Sequence, residues 1–238
     1  MIETPVVLQV AVNGYADRFA EFFWRTHKWA DSWKYHYRLV TGPCNMPRDD
    51  CGWLKLACVE RLLLKYRTVF LVDADAFVTE HCPSLKAVLE DSDGEIFARL
   101  GFTQRINSGV MIFHHGEPKS TLREAFKKLF ACCDKPVPAE DKAPQENGHV
   151  IHCWKNWPTF RELEPAWNMN KNVWDYNGRV YVNHAEDPGM MAFKHRMREE
   201  STPDKQPLWY EEIPERRRHS RAVRVRFYAR KLSEIGII

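Results

Sequence analysis

Thr68-Val69-Phe70-Leu71-Val72-Asp73-Ala74-Asp75 is the stretch on which the reading of the fold turns. Thr68 to Val72 is an apolar, β-branched run too short for a buried helix. It suits a strand covered on both faces, as in a parallel sheet held between helical layers. The run stops at two aspartates spaced i and i+2, whose side chains point the same way in extended chain. Both carboxylates then face one crevice at the strand's carboxyl end, the edge where open α/β sheets bind ligands. Two such charges 4 Å apart repel by about 4 kcal/mol at an effective dielectric near 20, and a divalent cation removes that penalty. A plain Asp-rich turn carries the same three letters, so the motif alone leaves both readings open.

Outward from this point, helix and strand patterns alternate. Upstream, Cys51 to Tyr66 reads as a helix, with Leu54, Ala57, Cys58 and Leu62 on one stripe. Pro5 to Val12 reads as a first buried strand, Ala16 to Trp29 as a helix and Tyr35 to Val40 as a second strand. Downstream, a short helix is expected over Ser84 to Glu90. Strands follow at Gly94 to Ala98 and Ser108 to Phe113, then an amphipathic helix at Ser120 to Phe130. A Pro- and charge-rich loop spans Asp134 to Asn147, short helix follows at Gly148 to Trp157, and Arg179 to Val182 is a last strand. The alternation argues for an α/β layer fold with a central, mostly parallel mixed sheet flanked by helices. One domain is expected over residues 1–213, with a basic tail or connector over 214–238.

Composition narrows the function. The chain has 238 residues, 44% hydrophobic and 13% aromatic, enough for a sizeable core. A net charge of +3 does not by itself imply a nucleic-acid partner, and none is expected. No run approaches the roughly 20 apolar residues of a membrane span, and the N-terminus lacks the basic start of a signal peptide. Seven scattered cysteines suit reduced thiols. A cytoplasmic location is the expectation. From Glu215 onward eight Lys and Arg stand against two Glu, so the rest of the chain is mildly acidic. The basic end reads as a solvated helix, or as a handle for an acidic partner or anionic surface. There is no Gly-x-Gly-x-x-Gly and no P-loop.

Several elements in order resemble the nucleotide-sugar glycosyltransferases of the GT-A fold, including glycogenin- and galactosyltransferase-like members. They are Trp53-Leu54-Lys55-Leu56 leading to the Asp73-Ala74-Asp75 strand, then Asn107-Ser108-Gly109 opening an apolar strand, then Trp167-Asn168, then His184 with Gly189 and Lys194. Together they cover roughly residues 5 to 195. The compact chain is also similar to the small transferase domains of large algal viruses.

The resemblance implies a transferase that moves a sugar from a nucleoside diphosphate donor, a UDP-sugar by preference, to a glycan or glycoprotein acceptor. It implies Mn²⁺, with Mg²⁺ as the alternative, held by Asp75 and His184, and by Asp73 directly or through water. It also implies that Gly189 and Lys194 meet the phosphates, Asn107 and Ser108 the donor sugar, and Asp73 and Ala74 the nucleotide. The imidazole favours a manganese-like ion over magnesium. Val12-Asn13-Gly14-Tyr15, at the end of the first strand, is a candidate base and ribose pocket, with an ordinary strand-to-helix turn as the alternative. Glu146 and Asp187 are candidate acids for activating the acceptor. Rival readings are a nucleotidyltransferase that makes the sugar nucleotide, which usually needs a Gly-rich basic loop after the first strand, and a non-catalytic carbohydrate- or nucleic-acid-binding module.

Overall fold

The computed structural model describes residues 1–42, 46–90, 92–101, 104–116, 119–169, 178–184 and 209–238. Six strands form the central sheet: β1 (Val6–Val10), β2 (His36–Val40), β3 (Thr68–Val72), β5 (Ile96–Leu100), β6 (Ile106–His114) and β7 (Phe160–Glu162), in the order β2-β1-β3-β6-β5-β7. β1 pairs parallel with β2 and β3, and β5 with β7; β6 runs antiparallel to both β3 and β5. Five strands therefore share one direction and β6 opposes them, which makes the mixed, mostly parallel sheet expected. Two short strands, β4 (Ala76–Val78) and β8 (Val182–His184), pair antiparallel as a separate ribbon.

The strand patterns follow from burial on both faces. In β3, Val69 and Leu71 enter the larger core while Phe70 and Val72 enter the smaller one, as period-2 alternation requires. β1 divides likewise, with Val6 and Leu8 on one side and Val7 on the other. The smaller core is closed by α2 (Ala20–Ser32) through Trp29 and Ala30, and by Trp167. The larger core takes α3 (Arg48–Leu62), α5 (Leu122–Cys132) and α6 (Asn147–Trp154). The expected helix over Ala16 to Trp29 is two pieces, α1 (Tyr15–Arg18) and α2, broken at Phe19, whose φ of −111° leaves the helical region as its ring is buried. A single turn, α4 (Lys86–Leu89), follows β4.

The basic C-terminus is not a detached tail. Helix α7 (Arg221–Glu234) sends Val225, Tyr228, Ala229 and Leu232 into the same core that α3 and the sheet share. Full burial of a Val or Leu side chain contributes about 1.5–3 kcal/mol, so the boundary expected near Pro214 does not separate two packing units. Much of the basic charge is answered within the fold. Arg221 Nε and Arg224 Nε lie 3.1 and 2.7 Å from the buried carboxylate of Asp50 on α3. Arg226 pairs with Glu60, and Asp134 accepts from the Arg221 backbone N–H at the helix start. Arg216 and Arg217 remain exposed. Among the described residues no helix is long and apolar enough to cross a membrane.

Candidate functional site

The site forms at the carboxyl end of β3, where three chain segments meet. Asp73 follows the strand directly, and its backbone N–H donates to the Gly109 carbonyl across β6 at 2.7 Å. The turn that carries Asp73 to Asp75 rests on Gln9, the polar residue in the first buried strand. Its side-chain amide donates to the carbonyls of Asp73 and Ala76 at 3.1 and 3.0 Å, and Tyr37 donates to its oxygen. The carbonyls of Asp73 and Ala76 and the Asp73 N–H are thus satisfied from within the fold.

His184 arrives by strand pairing. The β4–β8 register sets Ala76 opposite His184, which delivers the imidazole beside Asp75 across 109 residues of sequence. Its Nε2 lies 3.2 Å from Asp75 Oδ1 and 3.9 Å from Asp73 Oδ2. Its Nδ1 lies 2.8 Å from Asn168 Oδ1, which can only accept, so Nδ1 carries the proton. In the neutral ring Nε2 then presents a lone pair toward two carboxylates, an arrangement that suits a cation between them. One ligand atom from each of Asp73, Asp75 and His184 falls within 4.8 Å of the others, and among the described residues this is the one cluster of its kind. The donor set of two carboxylates and an imidazole fits a divalent metal ion.

The close approach depends on Gly109. A Cβ there would stand 2.3 Å from His184 Cε1 and 3.0 Å from Asp73 Oδ2. Asn107, beside it, uses its Oδ1 to accept from the Gly109 N–H at 2.8 Å.

Behind the carboxylates lies a residue to which sequence reasoning assigned no role. Lys55, on α3, places its Nζ 2.6 Å from Asp73 Oδ1 and 2.9 Å from Glu146 Oε1, and donates to the Ser108 carbonyl at 3.1 Å. Its side chain is only 9% exposed. Burial alone would lower the ammonium pKa, but the two carboxylates reverse that and hold it charged. Ser108 Oγ also donates to Glu146 Oε1 at 2.7 Å. Burial would raise the Glu146 carboxyl, yet the Lys55 charge and these hydrogen bonds keep it below the usual range. At Asp73 burial wins: its carboxyl is raised, with Lys55 and His184 opposing and Asp75 adding to the rise. Glu146 fits against α3 because Gly52 has no side chain; a Cβ there would stand 1.8 Å from Glu146 Oε2.

The remaining predicted residues divide. Ala74 packs with Ala11, Phe19 and Phe23, which brings the end of β1 and the start of α2 against the site's turn. Val12 is buried in the larger core. Asn13 and Gly14 take left-handed φ values of 59° and 83°. The Asn13 amide both donates to and accepts from the Met46 backbone, at 2.8 and 3.0 Å, and so fixes the approach to α3. Tyr15 is half-buried against Phe19, ring centroids 5.6 Å apart. Asp187, Gly189 and Lys194 lie outside the described residues. Asn168 is the second functional residue without an assigned role; its signal was its place in Trp167-Asn168.

No protein-family model matches the chain, and no curated protein matches it in sequence. Solved structures do. A glycosyltransferase involved in the glycosylation of the major capsid of PBCV-1 superposes on 82% of this chain and 99% of its own, with a TM-score of 0.56 and 12% identity. The apo-form glycosyltransferase GlyE of Streptococcus pneumoniae TIGR4 superposes on 98% of this chain and 64% of its own, with a TM-score of 0.52 and 11% identity. The chain has a glycosyltransferase fold. Identities this low carry the fold and nothing finer, so the chemistry of the site rests on its own geometry.

Proposed function

We propose that the chain transfers a sugar from a nucleoside diphosphate donor, a UDP-sugar in the first instance, to a hydroxyl of a glycan or glycoprotein acceptor. The observation that carries this reading is the convergence of Asp73, Asp75 and His184 at the carboxyl end of β3 in a glycosyltransferase fold. These three side chains would hold Mn²⁺, or Mg²⁺ in its place, which would supply positive charge to offset that of the leaving diphosphate.

The protein's own groups do the rest. Asn168 fixes the His184 tautomer so that Nε2 faces the cleft. Lys55 orients the Asp73 carboxylate and keeps Glu146 ionised beside Ser108. A carboxylate ion-paired in this way is a poor proton acceptor at neutral pH, so Glu146 serves to position the donor-side wall. Asp187 is the proposed general base for the acceptor hydroxyl. Asn107 is assigned to the donor sugar, with Ser108 acting from behind through Glu146; Gly14 and Tyr15 are assigned to the nucleoside, and Gly189 and Lys194 to the phosphates.

The test is a panel of sugar nucleotides incubated with the protein and Mn²⁺, with donor hydrolysis followed by release of the nucleoside diphosphate. One or a few donors should turn over slowly, only with metal, and not with Asp75→Ala. Failure of every donor to bind or react with metal present would refute the reading. Pyrophosphate release from a nucleoside triphosphate and a sugar phosphate would replace it with the nucleotidyltransferase reading.

A further inference from the structure

Away from the cleft, helices α5 and α6 bring two thiols together. Cys132 ends α5, Cys153 lies in the last turn of α6, and their Sγ atoms are 3.1 Å apart. A disulfide needs about 2.05 Å, so roughly 1 Å of travel separates the pair from a bond. The two thiols differ in character. Cys132 is half-buried, and the hydrogen bond from Cys153, with His152 and Lys135 nearby, lowers its pKa to about 7 against the effect of burial. Cys153 is buried, and the same hydrogen bond raises its thiol. The adjacent Cys133 is buried as well, and burial pushes it up to about 12. One sulfur thus has the character of an attacking thiolate and its neighbour that of a resolving thiol. His152 is held by Asp141 at 2.9 Å, and among the described residues no set of three ligand atoms forms here, so a metal does not account for the pairing.

We propose that Cys132 and Cys153 form a reversible dithiol–disulfide couple that reacts with hydrogen peroxide. The Cys132 thiolate attacks a peroxide oxygen; an S–O bond forms, the O–O bond breaks, and hydroxide leaves to take up the proton that Cys132 lost. The Cys153 sulfur then attacks the sulfenic sulfur; the S–S bond forms, the S–O bond breaks, and the hydroxyl leaves as water with the Cys153 proton. Two thiols are oxidised and one peroxide is reduced to two waters. A small dithiol reverses the bond by exchange. The cross-link joins α5 to α6, the helix whose first residue, Asn147, accepts from the Ser108 backbone N–H in the site.

The experiment treats the reduced full-length chain with a small excess of hydrogen peroxide, alkylates it, and maps the peptides by mass spectrometry. The expected product has lost two hydrogens, carries a Cys132–Cys153 linked peptide, keeps Cys133 alkylatable, and returns to the dithiol with dithiothreitol. Cys153→Ala, provided it folds, should instead accumulate a Cys132 sulfenic acid that dimedone traps. If peroxide leaves both thiols alkylatable in the wild-type chain, or drives Cys132 to sulfinic acid with no cross-link, the proposal is wrong. That wild-type result decides the matter even where the variant does not fold.

Discussion

Removing the Lys55 ammonium is the sharpest test of how the site is held. Its Nζ sits 2.6 Å from Asp73 and 2.9 Å from Glu146. At an effective dielectric near 20 each contact is worth about 6 kcal/mol of Coulomb energy, and desolvation of the three charges offsets most of it. The balance changes when one partner goes. Lys55→Met has similar length, but it leaves two carboxylates without their cation, and the Glu146 side chain is only 3% exposed. Asp73, 26% exposed at the cleft, recovers part of its solvation. Breaking a buried pair in this way costs about 3–5 kcal/mol. With a urea m-value of about 3 kcal/mol/M, the unfolding midpoint should fall by about 1 M or more. Adding Glu146→Gln should restore part of the loss, because one orphaned charge is then neutral, and the double-mutant cycle should show coupling above about 1 kcal/mol. A midpoint equal to wild type for Lys55→Met, or strictly additive single and double variants, would show that Lys55 does not hold the two acids together.

Two further outcomes concern Gly109 at the site and Glu95 outside it. Gly109→Ala places a methyl group 2.3 Å from the His184 ring, so the imidazole must move; Mn²⁺ affinity by titration calorimetry should drop about 10-fold or more with the far-UV spectrum unchanged, and unaltered affinity would contradict the three-residue site. Glu95 is buried, which alone would raise its carboxyl, but hydrogen bonds from the Ser120 and Thr121 side chains and from the Thr121 and Gly116 backbone hold it below the usual range. A depressed carboxylate stabilises the fold above the unfolded value of about 4.3 and loses that contribution as pH falls through its folded value. Glu95→Gln should therefore be less stable than wild type at pH 7, with the gap closing below about pH 4; a gap constant from pH 7 to pH 3 would contradict this.

The elements legible in the sequence are those whose cause is local. β3 and its two aspartates are contiguous, and their alternation and spacing point to one crevice without help from distant residues. His184 was reachable only through the resemblance, since the register that brings it to Asp75 is set by a three-residue ribbon. Strands that short, β4 and β7 among them, leave no periodicity to read. Lys55 was hidden for a different reason. It looks like a defect in an apolar helix stripe, and its partners lie 18 residues away at Asp73 and far beyond at Glu146. The clues were Gly52 in mid-helix and a lone lysine among Trp53, Leu54 and Leu56. Arg221 and Arg224 misled in the opposite sense: a dense basic run reads as a solvated face, and the buried Asp50 that anchors it lies 171 residues earlier.

The ribbon formed by β4 and β8 would couple the proposed ion to the fold. Two of the three candidate ligands sit on the turn between β3 and β4, and the third is carried by β8, a strand only three residues long. An ion bound as proposed would clasp the ribbon shut, and each tenfold rise in free ion above its dissociation constant would strengthen that clasp by about 1.4 kcal/mol. Under the proposed reading, metal supply would set how firmly β8 stays docked.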